Sequence, residues 1–430
     1  MALPVTEMSA LKELEELLQS EGYLNEGASI PVESKDQFDV NDRKIGFYTE
    51  NDAVVAVSLR DCTLTSLPES LGKLIHLQHL DVTGNQLTAL PVSLGDLLHL
   101  KKLYVDENRL TALPESLGNL LQLEEMYADM NQLTTLPATL CQLKNLETLR
   151  VYSNQLVSLP ARIGQLTRLK DISVGRNQLS SLPESFWQLI HLQSLNLAEN
   201  QFASLPASIG NLTDLQTLDL GHNKLKDLPE SLGKLSNLTF FLYISNNRLT
   251  ALPESLFENL GNLAYLNVTD NQLAALPENI GNLTNLKELR VYNNELTALP
   301  ESLGKLTKLK ELHAMNNRLV TLPESIGHLK DLKELHLSNN RLTALPGSLT
   351  KLTRLTHLDL RNNHLTALPE SLGSLRSLTH LDVRANRLIS LPASIGDLAH
   401  LEKLDVRWNK LSSFPEWLRR LEQRGCTVFR

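Results

Sequence analysis

A chain of 430 residues is longer than one ordinary hydrophobic core supports, which leaves either several domains or a repeat architecture. The formal net charge of −8 lies wholly in residues 1–52, with 12 acidic and 4 basic side chains, and the rest carries 37 of each sign. A neutral body lacks the positive field that phosphate backbones require, so no nucleic-acid partner is expected; no apolar stretch of about 18 residues is present to span a membrane.

In chain order, the N-terminus shows no basic region followed by an apolar run, so no secretory signal is expected. Residues 8–21 place Leu11, Leu14, Leu17 and Leu18 on one helical stripe. Ile45–Tyr48 and Ala53–Leu59 read as strands about Glu50-Asn51-Asp52. Residues 1–53 are therefore expected to form an N-terminal cap, with its acidic side chains a solvated surface. Cys62, Cys141 and Cys426 lie far apart, with neither metal-site nor disulfide spacing, which suits a reducing compartment.

From Leu67-Pro68 onward Leu-Pro recurs every 23 residues to Pro229, then through two 24-residue units and on to Pro392, with Phe-Pro at Pro415. Each unit carries L-x-x-L-x-L-x-x-N-x-L, as in Leu77, Leu80, Val82, Asn85 and Leu87, and a first copy ends in Cys62. Sixteen units result, over residues 54–415. In L-x-L the leucines point inward and their neighbours outward. The asparagine stands where the strand ends, its amide free to satisfy turn backbone. Proline then starts a helical or 3-10 return with its φ already fixed. One unit cannot bury its own leucines, so the units must stack. The expected fold is an α/β solenoid, a curved right-handed horseshoe with a parallel sheet on the concave face and short helical or 3-10 segments on the convex face. Leu238–Asn247 holds one extra residue, read as a bulge in the strand, and Leu256-Phe257-Glu258-Asn259-Leu260 holds another on the return. Residues 416–430 suit a C-terminal cap, with Trp417, Leu418 and Leu421 on a helix and Cys426–Phe429 as a closing strand.

These repeats resemble the intracellular Ras-group leucine-rich-repeat proteins, as in Leu113-Pro114-Glu115-Ser116-Leu117-Gly118. The resemblance implies a cytoplasmic scaffold that binds a small GTPase, a phosphatase or another signalling protein. It does not identify the partner, because framework residues are shared whatever the variable positions hold. Repeats of this kind also occur in bacterial ubiquitin-ligase effectors, which attach a separate catalytic domain; with only 15 residues after Pro415, no such domain is expected here.

No phosphate-cradling glycine loop, H-E-x-x-H or C-x-x-C is present, and no nucleophile–base pair stands out, so neither catalysis nor a cofactor is expected. Function is then expected on the inner-face positions six, four and two residues before each asparagine. Six of the eight tyrosines fall there, in two groups. The first is Tyr104, Tyr127 and Tyr152 with Arg150, Asp106 and Asp129. The second is Tyr243, Tyr265 and Tyr292 with Phe241 or Phe240, Arg290, His313 and Met315. Tyrosine and arginine bring large area and hydrogen bonding together, as binding hot spots require, whereas aromatics that merely favour sheet surfaces would not cluster. Asp359, Asp382 and Asp405 beside Arg361, Arg384 and Arg407 read as a self-neutralised surface. His313, His336, His357 and Asp359 make zinc geometrically conceivable, but nothing else in the sequence supports a metal. The expected function is a non-catalytic scaffold that holds a folded protein on its concave face, the alternative being an exported or host-directed effector or surface protein.

Overall fold

The computed structural model describes residues 3–33 and 45–430. The chain divides into two compact units, Met1–Phe202 with Asn211–Leu215, and Ala203–Gly210 with Gln216–Arg430.

In the first unit helix α1 (Val5–Ser20) buries Ala10, Leu11, Leu14 and Leu18, with Leu17 half-exposed at the edge of the stripe. Strand β1 (Val32–Glu33) runs parallel to β2 (Ile45–Glu50), which forms an antiparallel hairpin with β3 (Ala53–Leu59). The turn is made by Asn51 and Asp52 at φ 50° and 62°, the paired left-handed conformation that short-side-chain residues tolerate in hairpins. The part of the expected N-terminal cap at residues 34–44 lies outside the described residues. Beyond β3 the strands are all parallel and three residues long: β4 (His79–Asp81), β5 (Lys102–Tyr104), β6 (Glu125–Tyr127), β7 (Thr148–Arg150), β8 (Asp171–Ser173) and β9 (Ser194–Asn196). The middle residue of each, Leu80, Leu103, Met126, Leu149, Ile172 and Leu195, is buried, while the flanking side chains stand on the opposite face.

Each return is a short 3-10 turn, such as Glu69–Lys73, Val92–Asp96 and Glu115–Asn119. Proline sits one residue ahead of it rather than inside it: Pro68, Pro91 and Pro114 have φ near −68° but extended ψ, and their carbonyls accept the first helical hydrogen bond. The glycine of Pro-Glu-Ser-Leu-Gly answers to crowding between neighbouring returns. A Cβ on Gly95 would stand 2.5 Å from the Ser116 carbonyl oxygen.

The second unit continues the pattern with β10 (Thr217–Asp219), β11 (Phe241–Tyr243), β12 (Tyr265–Asn267), β13 (Glu288–Arg290), β14 (Glu311–His313), β15 (Glu334–His336), β16 (His357–Asp359), β17 (His380–Asp382) and β18 (Lys403–Asp405). Helix α2 (Glu416–Gln423) buries Trp417, Leu418 and Leu421, and β19 (Thr427–Phe429) pairs in parallel with β18. The extra residue of Leu238–Asn247 does not bulge within the strand. The triplet of β11 keeps register with β10 and β12, and Phe240 loops out just before it with its ring exposed. The other insertion lies on the return, where Phe257 is buried and the Asn259 amide donates to the Gly233 carbonyl.

The repeat asparagines from Asn85 to Asn386 are buried, Asn409 is half-buried, and their amides are bonded to the turn backbone. In the first unit Asn154 accepts the Leu133 N–H at 2.9 Å and donates to the carbonyls of Ala128, Val151 and Tyr152. In the second, Asn340 does the same for Leu319, Ala314, Leu337 and Ser338. The residue before the asparagine adopts left-handed φ in every repeat from Gly84 to Trp408, and the amide network holds that turn.

A different polar anchor fixes α1. Glu7, 1% exposed, accepts the Val54 N–H at 2.9 Å and meets His76 Nδ1 at 2.9 Å. Glu7→Ala leaves a buried N–H unpaired and is expected to cost about 1–3 kcal/mol. Glu7→Gln, which keeps an acceptor, should cost less. Urea unfolding followed by circular dichroism reads the difference, and equal losses would mean that the Val54 bond is not the anchor.

Candidate functional site

The side chains six and four residues before each asparagine project from the strands on the face opposite the 3-10 returns, where no core covers them. In the first unit β5, β6 and β7 set Tyr104, Tyr127 and Arg150 side by side in register. Tyr104 and Tyr127 stack with centroids 4.6 Å apart, the His79 ring meets Tyr104 edge-on at 4.9 Å, and Arg150 covers the Tyr127 ring at 5.6 Å. The Tyr104 hydroxyl donates to Glu125 at 2.5 Å, and Lys102 meets the same carboxylate at 2.8 Å. Burial, and then Glu125, push the Tyr104 phenol well above its ordinary range. Tyr152 stands apart from this stack: it lies two positions before its asparagine, and its hydroxyl donates to Glu199 at 2.9 Å.

Carboxylates border the stack. Asp106 accepts the Asp129 N–H at 2.7 Å, and Asp129 accepts the Tyr152 N–H at 2.6 Å and Arg150 Nε at 3.3 Å. With Thr83, Glu107 and Met130 they line a cavity of about 470 Å³. Burial raises Asp106 to about 7, with Asp129 and Asp81 adding repulsion, while burial depresses His79 to about 4. A carboxyl raised in the fold binds more protons folded than unfolded between its unfolded value of 3.8 and 7, so its contribution to stability falls as pH rises through that window. Asp106→Asn keeps the acceptor for Asp129 and removes this penalty. It is expected to stabilise the chain by about 1 kcal/mol at pH near 8 and by nothing near pH 4. Urea midpoints across that range decide it, and a constant offset at all pH would refute the titration.

In the second unit the Phe241 and Tyr243 rings lie 4.6 Å apart, Tyr243 meets Tyr265 edge-on at 5.0 Å, and Arg290 covers Tyr265 at 5.7 Å. Phe241, not Phe240, is thus the aromatic member. Burial raises both phenols. Tyr292 and Met315 are half-buried in the row two positions before the asparagine, beside this cluster rather than in it. His313 turns the other way and stacks on His336 at 4.7 Å.

His357 does not join those two histidines. It stacks on His380 at 4.4 Å, and its Nδ1 meets Thr356 Oγ1. The donors that do converge are Glu288, Glu311 and His313, whose ligating atoms all lie within 4.8 Å of one another. Further along, Arg361, Arg384 and Arg407 each pair with the aspartate of their own strand, and Arg384 also reaches Asp405 at 3.6 Å. Residue type alone does not single out His79, Glu125 and Glu288, yet all three stand six positions before an asparagine, and that register is the signal that marks them.

Among the described residues no helix is long and apolar enough to cross a membrane. The model of the leucine-rich repeat region matches residues 56–132, 179–264, 254–344, 303–383 and 346–423, and a further leucine rich repeat model matches 144–202. No curated protein matches. Similar solved structures include an LRR protein of Leptospira interrogans, at TM-score 0.80 and 38% identity over 86% of this chain and 94% of that one. YopM, a leucine-rich effector protein from Yersinia pestis, aligns at TM-score 0.60 and 31% identity over 83% and 88%. The LRR ectodomain of a plant membrane receptor kinase from Arabidopsis thaliana, solved in complex with Casparian strip integrity factor 2, gives 0.68 and 32% over 88% of this chain and 50% of that one.

Proposed function

The chain belongs to the leucine-rich-repeat family, and from that premise we propose that it is a non-catalytic scaffold holding a folded protein on the strand face of its repeats. Proteins of this family generally act as protein-interaction scaffolds. One observation carries the reading to this chain: both aromatic–arginine clusters stand on the face that the 3-10 returns leave open. Rings fixed on short strands lose little freedom when a partner covers them, so their area is available as affinity. The Ras-group resemblance of the repeats favours a small GTPase, a phosphatase or another signalling protein as partner, met in the cytoplasm.

A photo-crosslinking residue tests the face directly. Placed at Thr148 on the strand side, it should capture one protein from an extract of the source cells; placed at Glu324 on the return side, it should capture none. The reverse outcome would put the contact on the returns.

The likeness to YopM, an effector protein, favours a second reading, an exported or host-directed effector that uses the same face. Fractionation of the source culture separates the two, by recovery of the chain from cells or from the medium.

A further inference from the structure

Strands β13, β14 and β15 carry the triplets Glu-Leu-Arg, Glu-Leu-His and Glu-Leu-His in register, so Glu288, Glu311 and Glu334 form one row and Arg290, His313 and His336 the next. His313 Nε2 lies 3.2 Å from Glu311 Oε2 and 3.9 Å from Glu288 Oε1. Donors held about 2.1 Å from a tetrahedral ion stand about 3.4 Å from one another, so these separations are already close to those of a coordination shell. His336 repeats the motif one strand on, with Nε2 3.0 Å from Glu334. Arg290 Nε reaches the same Glu288 Oε1 at 2.5 Å while lying over Tyr265. A carboxylate has lone pairs for both an outer guanidinium and an inner cation. Three carboxylates against one guanidinium make the patch acidic.

We propose that Glu288, Glu311 and His313 bind a divalent transition-metal ion, with its remaining coordination positions open to water. Imidazole beside carboxylate selects zinc-like ions over magnesium or calcium, which prefer oxygen alone. The ion would tie β13 to β14 whatever protein the face holds. In the sequence the histidines alone stand out, and the glutamates that complete the set become visible only with the register.

Zinc chloride titrated into the full metal-free chain in a calorimeter tests the site. One equivalent should bind, and Glu311→Gln or His313→Gln should weaken binding at least about tenfold. Glu311→Gln keeps the shape of its side chain, both positions lie on the open face, and an unchanged circular dichroism spectrum confirms the fold of each variant. Cobalt(II) should give visible absorption of a four- or five-coordinate ion in the wild type and lose it in the variants. His99→Gln, a histidine remote from the patch, should leave both readouts unchanged. No heat with zinc, an affinity indifferent to Glu311→Gln and His313→Gln, or equal binding of magnesium would each overturn the proposal.

Discussion

Asn200→Ala is expected to destabilise the chain by about 1–3 kcal/mol. The buried amide accepts the Leu179 N–H at 2.9 Å and donates to the carbonyls of Val174, Leu197 and Ala198 at 3.0, 3.2 and 3.1 Å. Ala198 keeps a second donor in the Arg176 N–H, so its carbonyl is not orphaned. The Val174 carbonyl likewise keeps the Asn177 amide at 3.0 Å, so the Leu179 N–H is the group left unpaired, at about 1–3 kcal/mol for a buried donor. The matched control is Asn262→Ala, whose exposed amide meets only Asn285 and should change stability by no more than about 0.5 kcal/mol. Asn267 is a poorer control than its open-face position suggests, because its side chain is half-buried and accepts the Thr269 N–H. Urea midpoints from circular dichroism measure both variants. Equal losses at Asn200 and Asn262 would mean that the buried amides do not hold the turns.

Framework and face differ in how plainly the sequence declares them. Leucine spacing fixes the buried middle of each strand, and the asparagine fixes its end, because every repeat solves the same burial problem and so repeats the same residues. Features that arise from contact between repeats are less legible. Left-handed φ at Met130, Arg176 and Trp408 carries no glycine or asparagine signature, since neighbouring amide bonds, not the residue's own preference, hold that turn. An insertion can be counted in a sequence but not placed, so the extra residue reads as a strand bulge although the chain loops Phe240 out just before the strand. The tyrosines can be assigned to a face but not to partners. Tyr104 and Tyr127 share a row and stack, whereas Tyr152, two residues further along its own repeat, bonds Glu199 instead. Register decides each of these cases.

Truncating Tyr127 or Tyr243 to Ala is expected to weaken binding of the cognate protein by about 2 kcal/mol or more, while folding stability falls by about 1 kcal/mol. The smaller stability term reflects the contacts each ring makes. Tyr127 loses its stack on Tyr104 and its cover by Arg150, and Tyr243 loses Phe241 and Tyr265, but none of these contacts lies in the leucine core. The larger affinity term comes from preorganisation. Arg150 pairs with Asp129, and the Tyr104 hydroxyl is tied to Glu125, so the neighbours of Tyr127 are held before a partner arrives. A partner captured by crosslinking and then purified permits calorimetry on both variants, with Glu324→Ala on the return side as control. Loss of affinity at Tyr127 alone would confine the contact to the first unit, and loss at Tyr243 alone to the second. Should neither variant bind more weakly, the tyrosines are ordinary sheet-surface aromatics and the partner meets the returns or the terminal helices.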